Sequence, residues 1–310
     1  KGTCRMTQTP QVEKMLSTFG YEHCKPTRSP TLSGPMPCAD DCSDRYEGKW
    51  DMEAFVGHAG FLCMCTRPDI AQPVKVLSRF VRDFGQRHVQ FAKHLLRYLQ
   101  GSKGKGLTYS SAFPQYLQIF TDASHASDVD TRRSVISAVV KLGGNTILWK
   151  SAFTSMVCHS STESELMALD VGAMISQAMG WLVKSMGGPL QEKVQCFVDN
   201  DGTITIASNP IQPKRNLHVH ARFFYVRDLV FDEKLQLERL PTSMQIADIG
   251  CSYKGLANFL ELESHLMGCA RIVHDDHGQP HWEQPPTIEP VGPVRPSKPL
   301  GHASSEAEPV

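Results

Sequence analysis

The sequence has no excess of charge. In 310 residues, 32 Lys and Arg balance 32 Asp and Glu, for a formal net charge of zero. Global charge therefore names no partner, and any surface for nucleic acid has to be local. Long apolar runs are also lacking: no stretch reads as the ~18 consecutive apolar residues of a membrane span. The opening Lys1-Gly2-Thr3-Cys4 carries no apolar signal region, and without an initiator Met the chain reads as a piece of a longer polypeptide. The ten cysteines have no regular spacing. Cys38-Ala-Asp-Asp-Cys42 and Cys63-Met-Cys65 are the close pairs, and neither has a second Cys or His pair at finger-like spacing. That pattern argues against a disulfide scaffold or a zinc module and for a reduced, intracellular protein.

What is present is a large apolar share, 41% of residues, in a chain long enough for about two domains of ~150 residues. Residues 1–46 hold one helical piece, Val12–Phe19, stopped by Gly20 and followed by a turn-rich linker with Pro26, Pro30, Pro35 and Pro37. Residues 47–110 read as helical: Val89, Ala92, Leu95, Leu96 and Leu99 recur at spacing three and four. From 111 the period changes. Leu117–Phe120, Val135–Val140 and Thr146–Trp149 read as strands, with Gly143-Gly144-Asn145 as a hairpin turn. Ser160-Ser-Thr-Glu163 resembles a capping box opening a helix to about Val183. Val194–Val198 and Leu235–Leu240 read as strands, and Pro213–Phe231 and the run from Ser243 as helices. The order predicts an α/β (α+β) domain over 111–268, a mixed sheet with helices. Residues 269–310 contain eight prolines and no amphipathic period, and are predicted to be disordered.

The acids stand out against this frame. Asp122 closes the run Leu-Gln-Ile-Phe-Thr-Asp, and Asp199 closes Val-Gln-Cys-Phe-Val-Asp. Ligands of α/β sheets gather beyond the carboxyl ends of strands. Two acids there repel unless a cation lies between them. Glu163 and Glu165 open the 160s helix and Asp248 the last one. Each also has a local explanation: Glu163 or Glu165 as the partner of a helix cap, Asp199 as a turn residue, Asp248 as an acid at a helix N-terminus.

LQIFTDAS, STESELMALD, CFVDN and QIAD, in that order, resemble the motifs of ribonuclease H domains. Arg132-Arg-Ser134, Leu142-Gly-Gly144, Trp149-Lys-Ser151, PKRNLHVHARFFYVR and LERLPTSMQIADI narrow the resemblance to the Pol polyproteins of copia-type retrotransposons. Upstream, VEKMLSTFGYEHCKP, TRPDIAQPVKVLSRF and HLLRYLQGSKGKGL resemble the end of a reverse transcriptase thumb and the connection that follows it. The resemblance implies a ribonuclease H-like five-stranded mixed sheet flanked by helices, preceded by a small helical connection region. It implies metal ligation and catalysis by Asp122, Glu165, Asp199 and Asp248, with two Mg²⁺ (or Mn²⁺) ions. It also implies RNA–DNA hybrid as substrate, the transcriptase palm of the polyprotein as a partner, no membrane, and a place in a cytoplasmic virus-like particle or the nucleus. Glu165 is preferred to Glu163 because it matches the glutamate of the family's Glu-Leu-Met-Ala pattern.

The match is not complete. Ser124 and His125 follow Asp122 where relatives have an acid and an aromatic, Leu217-His218-Val219-His220 replaces Lys-His-Ile-Asp, and Gly250-Cys251-Ser252 replaces Leu-Thr-Lys. No His lies between Leu240 and Asp248, where cellular enzymes carry a catalytic one. The paired aspartates of a polymerase are also missing, so no polymerisation is expected of this chain. Between Pro73 and Gly106 stand eight Lys or Arg and one acid, Asp83. Lys75, Arg79, Arg82, Lys93 and Arg97 of this run, with Lys214, Arg215, His218 and Arg222, are the candidate phosphate contacts.

Overall fold

The computed structural model describes residues 2–188, 193–209 and 220–285, of which 220–223 by backbone only. Two strands, β1 (Thr3–Thr7) and β2 (Gly106–Ser110), pair antiparallel around a helical segment. That segment contains α1 (Thr9–Phe19), α2 (Met52–Cys65), α3 (Ala71–Leu77) and α4 (Gln86–Gly101). Neither strand is legible in the sequence: all five residues of β1 are exposed, so it has no apolar pattern, and only its partner defines it.

The main sheet has five strands, β3 (Leu117–Ser124), β4 (Val135–Leu142), β5 (Asn145–Phe153), β6 (Val194–Val198) and β7 (Leu235–Arg239), in the order β5-β4-β3-β6-β7. β3 runs antiparallel to β4 and parallel to β6, which runs parallel to β7. Gly143 and Gly144, at φ 52° and 77°, make the two-residue turn between β4 and β5, a conformation that favours glycine at both positions. The helices are α5 (Ser161–Ser185), α6 (Asp201–Ser208), α7 (His220–Phe231) and α8 (Leu256–Met267). This mixed sheet flanked by helices is a ribonuclease H-like α/β fold. The predicted final helix from Ser243 is instead two 3₁₀ turns, Thr242–Met244 and Ile246–Gly250, with α8 starting only at Leu256.

Alternation along the strands divides the core. Ile119, Val140, Cys196 and Val198 meet α5 through Leu166, Leu169 and Ala173. Phe120, Val139 and Phe197 face the opposite way, into one apolar cluster with α1, α2, α4 and α8. The helical segment of residues 47–110 therefore shares its core with the sheet. By length and composition α5 is apolar enough to cross a membrane, contrary to the sequence reading, but half of that stretch is buried inside this fold.

α5 lies close on β3. A Cβ on Gly172 would stand 2.5 Å from Thr121 Cγ2 and 3.3 Å from Ile119 Cγ2. Gly172→Ala is expected to push α5 off the sheet at a cost of about 1–3 kcal/mol. Denaturant titration checks this, and an unchanged midpoint would mean that the helix has slack there.

Disorder was predicted from 269 onward, but residues 269–285 are structured. β8 (Arg271–His274) and β9 (Pro280–Glu283) form a hairpin. Trp282 stacks on Phe120 and His265, and Gln118 bonds both to the Ile272 carbonyl, at 2.8 Å, and to its N–H, at 3.1 Å. Composition hides this, because two apolar side chains suffice when a sheet core is waiting to receive them. Residues 286–310 lie outside the described residues.

Candidate active site

β3 and β6 stop pairing at Phe120 and Phe197. Two residues beyond on each strand stand Asp122 and Asp199, so parallel register alone sets the two acids side by side. Gln245 closes the seam: its buried amide donates to the Thr121 carbonyl at 3.1 Å and to the Phe197 carbonyl at 3.2 Å. The third acid comes from α5. Ser160 caps that helix by accepting the Glu163 N–H at 3.1 Å, and the Glu163 carboxylate reaches back to the His159 N–H at 2.6 Å. Glu163 is thus spent on the cap. Glu165, half a turn on, points at the strands and accepts from the Ala123 N–H at 3.3 Å.

One oxygen from each of Asp122, Glu165 and Asp199 lies within 4.8 Å of the others. Asp122 and Glu165 are 6% exposed. Burial, then Asp248 and Asp199, hold the Asp122 carboxyl well above its ordinary range. Burial, then Asp122 and Asp199, push Glu165 up to about 9. Glu165 Oε2 is buried without a hydrogen-bond partner. Such a cluster is unfavourable by itself and becomes favourable around a hard cation with oxygen-only preference. The donor set and the orphaned oxygen fit Mg²⁺ or Mn²⁺.

Asp248 lies in the second 3₁₀ turn, close enough to Asp122 to raise its pKa, but outside the cluster of three. Its carboxylate is engaged by the Lys254 ammonium and by Ser252 Oγ at 2.9 Å. Lys254 was not singled out from the sequence; an isolated Lys six residues past an acid carries no periodic signal. The unusual Gly250-Cys251-Ser252 is absorbed by the site. Ser151 Oγ donates to the Gly250 carbonyl at 2.5 Å, Cys251 Sγ donates to the Asp122 carbonyl at 3.2 Å, and Ser252 holds Asp248.

Among the described residues, several of the predicted phosphate contacts have partners within the chain. Arg79 is ion-paired with Asp128 and Asp130, at 2.5 and 2.8 Å. Lys93 bonds Tyr46 Oη at 3.1 Å and lies over the Tyr46 and Trp50 rings. Arg97 donates to the Lys25 carbonyl at 2.8 Å. Lys75 faces a cavity behind Asp248, and Arg82 is exposed. Spacing cannot distinguish a solvated cation from one neutralised by a distant loop. Lys214, Arg215 and His218 lie outside the described residues, and Arg222 is described only as part of α7.

No family model matches the chain. It is 30% identical over 252 residues, 79% of its length, to the retrovirus-related Pol polyprotein from transposon TNT 1-94 of Nicotiana tabacum. The chain belongs to the Pol polyproteins of copia-type retrotransposons. It spans 19% of the TNT 1-94 polyprotein and smaller shares of two from Arabidopsis thaliana. A 114-residue stretch, 37% of this chain, is 42% identical to secreted RxLR effector protein 161 of Plasmopara viticola and covers 80% of it. Among solved structures, LC11-RNase H1 in complex with RNA/DNA hybrid matches 43% of this chain and 91% of its own, with 16% identity and a TM-score of 0.32. Within this copia-type Pol chain, the ribonuclease H-like domain carries the acid cluster.

Proposed function

We propose that this segment of a copia-type Pol polyprotein is a ribonuclease H that hydrolyses the RNA strand of RNA–DNA hybrids. The observation that carries the reading is the convergence of Asp122, Glu165 and Asp199, from two strands and a helix, within 4.8 Å. Asp122, Glu165 and Asp199, with Asp248 beside them, would hold Mg²⁺ or Mn²⁺, which would supply an activated water and neutralise charge on the scissile phosphate and the leaving oxygen. Gln245 and the Ala123 N–H hold these carboxylates in register before substrate arrives, which reduces the reorganisation left for the reaction. RNA would be recognised through its 2′-hydroxyl and groove shape. The remainder of the polyprotein, with its transcriptase palm, is the proposed protein partner, in a cytoplasmic particle or the nucleus.

Labelled RNA–DNA hybrid, duplex RNA and duplex DNA, incubated in parallel with Mg²⁺, test this. Cleavage restricted to the RNA of the hybrid is expected, and Asp122→Asn or Asp199→Asn should lower it by more than about 100-fold, beyond what supporting residues contribute. Equal cleavage by the double variant would end the assignment. The Lys254–Asp248 pair favours a second reading, a module that binds hybrid without cutting it. Shifted but uncut hybrid in the same assay would select that reading.

A further inference from the structure

The four acids at the end of the sheet are unequally satisfied. Glu165 Oε2 is buried with no hydrogen-bond partner, and Asp199 Oδ2 accepts from Thr242 Oγ1 at 2.9 Å. Among the described residues no Lys or Arg pairs with Asp122, Glu165 or Asp199. Asp248 is the opposite case. Its Oδ1 accepts from Ser252 Oγ at 2.9 Å and its Oδ2 is paired with the Lys254 ammonium. The side chains of Asp248 and Lys254 are 7% and 16% exposed, so solvent screens this pair little.

Both partners of Asp248 come from one short stretch of chain. The 3₁₀ turn Ile246–Gly250 ends at Cys251, and α8 starts only at Leu256. The residues between them bring Ser252 and Lys254 back onto the Asp248 carboxylate. Lys254 is thus a cation built into the acid site. After burial, Asp248 is the strongest influence on the Asp122 carboxyl, which places these two acids together. A divalent ion entering between them would have to displace the ammonium or lie beside it with like charge. Asp122, Glu165 and Asp199, within 4.8 Å of one another by one oxygen each, present no such obstacle. An unpaired carboxylate oxygen gains most from a cation, whereas an engaged one must first give up its partner.

We propose that Lys254 stands at Asp248 in place of a metal ion, so that the chain free of nucleic acid binds one divalent ion, at Asp122, Glu165 and Asp199, and holds off a second. This rests on the reading of the acid cluster as a metal site and specifies how many ions it takes.

The test counts Mn²⁺ bound to the full chain without nucleic acid, read as the loss of the free-ion electron paramagnetic resonance signal. Wild type and Lys254→Arg are expected to bind one ion, and Lys254→Met two. A unit charge within about 4–6 Å changes a carboxylate's proton affinity by about 10- to 1,000-fold, so the second ion should bind Lys254→Met at least about tenfold more tightly than wild type. Adding Asp248→Asn to Lys254→Met should return the count to one. Without metal, Lys254→Met should melt lower, because Asp248 loses its countercharge, and should gain more from Mn²⁺ than wild type does. If Lys254→Met does not fold, Lys254→Gln carries the same expectations, since its amide keeps a donor near Asp248 without the charge. Two ions of similar affinity on wild type, or a single ion on the neutral variants, would overturn the proposal and leave the metal site standing. No bound ion on any form would overturn the metal-site reading as well.

Discussion

Glu165→Gln is expected to raise the melting temperature of the metal-free protein and to abolish its stabilisation by Mg²⁺. The folded-state pKa of Glu165 is raised from the ordinary 4.5 to about 9, mainly by burial and then by Asp122 and Asp199. The folded protein therefore binds more protons than the unfolded chain between those values. The stability Glu165 contributes is fully present below about 4.5 and is lost as pH rises through about 9. At pH 8 without metal, the wild-type chain carries most of that loss. Gln is neutral at every pH and can donate to the neighbouring carboxylates, so the variant should gain more than about 1 kcal/mol, the worth of one pKa unit. With Mg²⁺ the order reverses. A cation binding only the folded state stabilises it by about 2.7 kcal/mol at a hundredfold excess over Kd, and the variant forfeits that. Scanning calorimetry with and without Mg²⁺ reads both effects. An unchanged order of the two melting temperatures would mean that the three acids do not share a cation.

The second large effect lies in the joint between the helical segment and the nuclease-like domain. Arg67 is fully buried. It donates to Asp69 at 2.8 and 2.9 Å and to the carbonyl and hydroxyl of Ser102 at 3.1 and 2.8 Å. The Tyr98 hydroxyl lies 2.5 Å from Asp69 and 2.9 Å from Glu263 on α8, shared between them, and Lys105 pairs with Glu263 at 2.5 Å. Arg67→Ala leaves the Asp69 carboxylate buried beside Glu263 without its countercharge. The expected cost is about 3–5 kcal/mol, a large part of the 5–15 kcal/mol typical of a folded protein. The pair Arg67→Met with Asp69→Leu removes both charges and should recover most of it. A chain beginning at residue 111 is expected to aggregate, because it exposes Phe120, Val139 and Phe197. A monodisperse, cooperatively melting truncation would show that the sheet stands without the helices.

Much of the frame was legible because it is local. Short apolar runs marked β4 and β6, spacing of three and four marked α4, and Gly143-Gly144 marked the hairpin. Other features were illegible for reasons that differ case by case. β1 has no buried face of its own, and the 271–283 hairpin depends on a surface built by Phe120. The turn bearing Asp248 is 3₁₀ rather than α-helical; Gln245 accepts the Ala247 N–H at its start and crosslinks two strands. The partners of Arg79 and Arg97, Asp128 and the Lys25 carbonyl, lie 49 and 72 residues away along the chain, so no local spacing signals them.

By itself, the sequence determined that Asp122 and Asp199 would stand at the carboxyl edge of a sheet, since each ends an apolar run of β period. It also determined that α5 would begin at Ser160, where a cap stops the chain from extending. Only the tertiary structure decided that Lys254 rather than open solvent meets Asp248, and that the helical segment and the sheet share one core. Period and capping act over a few residues, whereas charge neutralisation and core packing depend on groups brought together from across the whole chain.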